Sequence, residues 1–94
     1  MKRKIAILGS TGSIGKSTLE VIKKNKDNFD IILLTANNNY KLLIKQAKEF
    51  GAKNVLIKNN KFYLKVKKSL KSTKVYFGDV PINKIVNKRL DYTM

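Results

Sequence analysis

Apolar positions along this chain alternate between short continuous runs and stretches with helical spacing. The first continuous run, "KIAIL" at residues 4–8, stops at Gly9 and predicts a strand buried on both faces. Ile14, Thr18, Val21 and Ile22 then recur at helical spacing, and Lys23, Lys24 and Lys26 suit the negative end of that helix. "DIILLT", residues 30–35, predicts a second buried strand, broken by Asn37, Asn38 and Asn39, one of which is placed to cap the next helix. The apolar face of that helix is Tyr40, Leu43, Ile44 and Ala47, and Gly51 after Phe50 is placed for a left-handed C-cap. "NVLI", residues 54–57, predicts a third strand, and Asn59 or Asn60 caps a third helix with the face Phe62, Tyr63, Val66 and Leu70. "KVYF", residues 74–77, predicts a fourth strand, followed by a short helix that tolerates Pro81 in its first turn and is lined by Ile82, Ile85 and Val86. "RLDYTM", residues 89–94, begins a further element.

Strand, helix, strand, helix, strand is the rhythm of an α/β protein with a doubly wound parallel sheet of the Rossmann type. Right-handed crossovers place the first three strands in the order 3-2-1. The expected architecture is incomplete: the first βαβαβ half plus a short strand and helix, in one partial domain over residues 1–94. A sheet cut short leaves an open edge, so the isolated chain is expected to be marginally stable unless a partner completes it.

Composition narrows the chemistry more than the fold. The chain has no Cys and no His, which removes disulfides, thiolate chemistry, the usual general base near neutral pH and the commonest metal ligand. Its 6 carboxylates lie far apart and form no cluster with metal-ligand spacing, so neither catalytic nor metal-binding residues are assigned. The apolar run after the basic start is shorter than a secretory core, and no run reaches membrane-spanning length, so a cytoplasmic protein without a membrane partner is expected. The net charge of +15 admits a nucleic-acid partner. The charge is almost all Lys, however, with Arg only at Arg3 and Arg89, and is spread along the whole chain. Specific nucleic-acid readers use Arg for bidentate base contacts and aromatic side chains for stacking. A solvated lysine surface is therefore the favoured reading, and a small basic nucleic-acid-binding protein the alternative.

Chemistry concentrates in "GSTGSIG", residues 9–15, between the first strand and the first helix. Gly9 lets the chain turn sharply off the strand, Gly12 lets backbone approach a pyrophosphate, and Gly15 lets the helix pack closely on the sheet. The N–H groups of Thr11, Gly12, Ser13 and Ile14 are expected to be unpaired at the helix start and to face an anion. The hydroxyls of Ser10, Thr11 and Ser13 are further candidate donors. The plain alternative is a Gly/Ser-rich turn without a ligand. A P-loop fails by one residue, because the position that should hold its first glycine is Ser10.

NAD-binding folds place an acid at the end of the second strand, to take the ribose 2′-OH. Here that strand runs into Ala36 and Asn37, and Asp30 stands at its opposite end. Without an acid a 2′-phosphate is not repelled, and Asn37, Asn38 and Asn39, with Lys41 nearby, can contact it, so the sequence leans towards NADP. The competing reading of the Asn triple is a loop and a helix cap.

The run Ile7-Leu8-Gly9-Ser10-Thr11-Gly12-Ser13-Ile14-Gly15, continued by Ser17-Thr18-Leu19 and Val21, closely resembles the N-terminus of the 1-deoxy-D-xylulose 5-phosphate reductoisomerase family. The resemblance is dense to about residue 40 and looser beyond it. It implies a Rossmann-like fold and NADPH as cofactor, with Thr11, Gly12, Ser13 and Ile14 at the cofactor phosphates and Asn37, Asn38 and Asn39 at the 2′-phosphate end. The family often has Gly and then Lys or Ser at the first two of these Asn positions. Asn37 and Asn38 depart from that form and leave out a basic contact, while Asn39 keeps the family residue.

The resemblance further implies Mg²⁺ or Mn²⁺, a homodimer, and conversion of 1-deoxy-D-xylulose 5-phosphate to 2-C-methyl-D-erythritol 4-phosphate in isoprenoid precursor synthesis. The family's metal-binding carboxylates, catalytic lysine, substrate-phosphate site and lid all fall beyond residue 94. The chain as written is expected to bind part of the cofactor and not to catalyse the reaction. A piece of a longer protein, a split reading frame and a non-functional remnant all fit that expectation.

Overall fold

A computed structural model describes residues 3–86 and 90–93. The five strands are β1 (Arg3–Ile7), β2 (Phe29–Ala36), β3 (Asn54–Ile57), β4 (Lys74–Phe77) and β5 (Tyr92–Thr93). The helices are α1 (Ser13–Lys23), α2 (Tyr40–Phe50), α3 (Tyr63–Ser69) and α4 (Ile82–Ile85). The strands form one parallel sheet in the order β4-β3-β2-β1-β5, which contains the expected 3-2-1 core. Each predicted element is present within a residue or two. Of the expected final element, Arg89 and Met94 lie outside the described residues, as do Met1, Lys2, Asn87 and Lys88.

Both faces of the sheet are covered, which is why its strands read as continuous apolar runs. Ile5 and Ile7 of β1 pack with Leu19 and Ile22 of α1, Leu43 and Ala47 of α2, and Val66 of α3 in one core. Ala6 turns to the opposite core, with Ile32, Leu33, Leu56 and Val86, and Ile82 and Ile85 of α4 pack there. The β1–β2 register slips by one residue: Ile5 pairs with Ile31, but Ala6 pairs with Leu33. This bulge lets the adjacent Ile32 and Leu33 both enter the second core, while Ile31 and Leu34 serve the first.

Successive strands β1 to β4 step outwards on one side, and the chain then crosses by α4 over the other face to place β5 beside β1. The winding direction therefore reverses between β1 and β5. In open α/β sheets the crevice at the carboxyl ends of the strands, where the order reverses, is where ligands bind. The two-residue β5 is anchored by a reciprocal pair: Lys4 N–H donates to the Asp91 carboxylate at 2.7 Å, and Asp91 N–H donates to the Lys4 carbonyl at 2.8 Å.

The helix faces agree with expectation at α2 and α3 and differ at α1. Val66 and Leu70 are buried and Phe62 and Tyr63 pack against the same core. In α1 the inward residues are Gly15, Leu19 and Ile22, whereas Ile14 and Val21, expected in the core, are 81% and 62% exposed. The reason lies at Gly15. Its close approach to the turn after β1 fixes the rotation of the helix, and Ile14, one residue earlier, is carried to the outside.

Candidate dinucleotide-binding site

The turn after β1 is built from peptide groups held in fixed directions. Gly9 has φ of 67°, the left-handed region that a side chain disfavours. Its N–H donates to the Thr35 hydroxyl at 2.8 Å, and Ser10 N–H donates to the Thr35 carbonyl at 2.8 Å. The end of β2 thus grips the end of β1 just where the chain leaves the sheet. Gly12 is the N-cap of α1, and no side chain caps that helix.

Two of the expected donors are engaged within the protein itself, which corrects the expectation for both. Gly12 N–H is not available, because it donates to the Gly9 carbonyl at 2.9 Å and closes a tight turn. The N–H groups of Thr11, Ser13 and Ile14 enter no backbone hydrogen bond recorded among the described residues. The second correction concerns Ser10, which is fully buried. Its hydroxyl donates inwards, to Gln46 Oε1 at 2.7 Å, with the Thr35 carbonyl at 3.3 Å, so it braces the turn from inside. Thr11 is half-buried and Ser13 exposed, leaving both hydroxyls on the outer side.

The glycines also provide space. A β-carbon at Gly15 would lie 2.4 Å from the Gly9 carbonyl oxygen and 2.6 Å from the Ser10 Cα. At Gly12 the nearest atom would be the Gly9 oxygen at 3.3 Å. Gly15 is thus required by helix packing, while Gly12 keeps the outer surface of the turn free of side chain. No side chain caps this helix end and no acid stands in its first turn, an arrangement whose partial positive charge favours an anion.

Asn37, Asn38 and Asn39 follow β2 at the same end of the sheet and are exposed. Asn39 is the cap of α2, its side-chain oxygen accepting from Leu42 N–H at 3.2 Å. Asn59, read from the sequence only as a possible cap, also braces this loop. Its N–H donates to the Asn37 carbonyl at 3.0 Å and its side-chain amide to Asn38 Oδ1 at 2.9 Å. Stacking of Tyr40 on Phe62, with ring centroids 4.6 Å apart, ties the starts of α2 and α3 together beside it.

Gln46 is a site residue missed by sequence reasoning. It is buried, and its Nε2 donates to the Ser10 carbonyl at 2.8 Å. The available signal was a lone polar residue beside Leu43 and Ala47 on the inward face of α2.

A parallel sheet whose order reverses beside a glycine turn at a helix start defines the class: an α/β protein of the Rossmann type. Within that class, the sequence profile of the 1-deoxy-D-xylulose 5-phosphate reductoisomerase family matches residues 5–94, and the chain belongs to this family. The reductoisomerase of Pelagibacter ubique is 50% identical over 96 residues, which covers 98% of this chain and 25% of the relative. That of Porphyromonas gingivalis is 54% identical over 82 residues, covering 87% of this chain and 20% of the relative. Among solved structures, the Zymomonas mobilis reductoisomerase in complex with NADPH superposes with a TM-score of 0.92 at 36% identity, covering 100% of this chain and 25% of that one. A further reductoisomerase, in complex with NADPH, fosmidomycin and magnesium, gives a TM-score of 0.87 at 27% identity, covering 97% and 23%. The chain thus spans about a quarter of the length of these relatives. The family match lends no support to the nucleic-acid-binding alternative.

Proposed function

We propose that this chain is the NADPH-binding N-terminal part of a 1-deoxy-D-xylulose 5-phosphate reductoisomerase. The observation that carries the reading is the outward-facing, uncapped turn at residues 9–15, set beside the reversal between β1 and β5. In this reading the N–H groups of Thr11, Ser13 and Ile14 and the hydroxyls of Thr11 and Ser13 hold the cofactor pyrophosphate. Gly9, Gly12 and Gly15 shape the cradle, Ser10 braces it from inside, and Asn37, Asn38 and Asn39 face the adenosine 2′-phosphate. Bound NADPH supplies the hydride for reduction, and the residues of this chain bind and orient it. The activity served is rearrangement and reduction of 1-deoxy-D-xylulose 5-phosphate, by a homodimer in the cytoplasm.

No group of three or more His, Cys, Asp or Glu side chains converges among the described residues, and no helix among them is long and apolar enough to cross a membrane. Calorimetric titration of the 94-residue chain with NADPH tests the reading. Saturable but weak binding, displaced by inorganic pyrophosphate and by adenosine 2′-monophosphate, is expected, without reductoisomerase turnover. Absence of saturable binding overturns the assignment of the site.

A further inference from the structure

We infer that Gln46 is a positioning residue for the phosphate turn: by holding the Ser10 carbonyl inwards, it aims the Thr11 N–H outwards at the cofactor pyrophosphate. The inference rests on the reading of residues 9–15 as the cofactor site and adds to it a residue from a different helix.

The Ser10 carbonyl and the Thr11 N–H belong to one planar trans peptide group, so they point in opposite directions. Whatever fixes the carbonyl fixes the N–H. Gln46 Nε2 donates to that carbonyl at 2.8 Å, and Gln46 Oε1 accepts from the Ser10 hydroxyl at 2.7 Å. A carbonyl only accepts, so the amide nitrogen must face it and the amide orientation is determined. The preceding peptide is held in the opposite sense. Ser10 N–H points into the sheet, to the Thr35 carbonyl, and the Gly9 carbonyl is turned towards Gly12 N–H. Thr35 and Gln46 together therefore set two consecutive peptide planes of the turn.

The placement of Gln46 shows that packing alone does not require it. It is 6% exposed and shares its face of α2 with Leu43 and Ala47, where an apolar side chain would fill the space without burying an amide. Both recorded hydrogen bonds of its side chain end on Ser10. A buried amide satisfied by a single residue of the turn acts on that residue's direction.

The test uses the ¹³C,¹⁵N-labelled chain, NADP⁺ and inorganic pyrophosphate as probes, and the variants Gln46→Met and Val66→Ala. In the unaltered chain, the Thr11 amide proton is expected to move downfield when either probe binds. In Gln46→Met that shift is expected to vanish and affinity to fall about tenfold, the loss that follows from a misdirected hydrogen bond to a charged group. Val66→Ala weakens the same core away from the turn and, read at a temperature where circular dichroism shows both variants folded, should keep both the shift and the affinity. Unchanged affinity and Thr11 shift in Gln46→Met would overturn the inference and leave the site reading standing. An equal affinity loss in Val66→Ala would also overturn it, by making the effect one of general stability. An unaltered chain that binds neither probe would overturn the site reading and this inference together. Should Gln46→Met fail to fold, the unaltered chain decides. Slow exchange of the Gln46 side-chain amide protons, with scalar coupling to the Ser10 carbonyl carbon, supports the inference, and fast exchange overturns it.

Discussion

Gly15 and Gly9 approach so closely that a methyl group on the first would stand 2.4 Å from the carbonyl oxygen of the second. Backbone lies on both sides of this contact, and neither side can swing away as a long side chain would. Gly15→Ala must therefore push α1 off the turn. A loss of about 1–3 kcal/mol is expected, the range for overpacking a filled interior, and urea unfolding followed by circular dichroism measures it. Gly12→Ala is the contrasting case. Its β-carbon meets only the Gly9 oxygen at 3.3 Å, on the outer side of the turn. Stability should change by less than about 1 kcal/mol, because Ala is only a poorer N-cap, while NADPH affinity falls about tenfold, the equivalent of about 1.4 kcal/mol.

Asn37 is the first residue after β2, where NAD-specific folds carry an acid. With the 2′-phosphate of NADPH held where the proposed function puts it, Asn37→Asp adds a negative charge beside it. Affinity for NADPH should fall about tenfold, from like-charge repulsion of about 1.4 kcal/mol, with affinity for NADH unchanged or raised. Parallel calorimetric titrations with the two cofactors give the ratio.

Asn39 links the loop to helix stability, since its side chain accepts from Leu42 N–H. Asn39→Ala should cost about 1 kcal/mol of folding free energy and Asn39→Asp only a few tenths, about the spread seen among N-cap residues. Thermal unfolding of the two variants separates loss of the cap from loss of the amide.

Val21 and Leu19 test the rotation of α1. Val21 is 62% exposed although its spacing reads as core, and Leu19 is buried. Val21→Lys should leave stability within about 0.5 kcal/mol, as surface changes do. Leu19→Ala should cost about 2–5 kcal/mol, as core truncations do. Chemical denaturation of both variants checks the assignment, and equal losses would return Val21 to the core.

Much of the fold was legible because it rests on local signals. Apolar runs ending at Gly9 and at the Asn triple marked β1 and β2, and Gly51 marked the end of α2, where it adopts φ of 63°. The 3-2-1 order followed from strand–helix alternation and the handedness of crossovers. The candidate site was legible as a segment, because a glycine turn between a strand and a helix is a pattern of neighbours in sequence. The bulge at Ile32 was not, because "IILL" offers apolar residues to either face and only the register with β1 assigns them.

Local sequence signals were enough for the α/β class, the position of the glycine turn and the family to which its residues belong. Tertiary structure alone decided which groups of that turn face outwards. Gly12 N–H closes onto Gly9, Ser10 turns inwards to Gln46, 36 residues away, and Ile14 is carried to the surface by the close contact of Gly15. The direction of a peptide group depends on what its N–H and carbonyl meet. For Ser10 those partners are Thr35 of β2 and Gln46 of α2, distant in sequence, and no local pattern contains them.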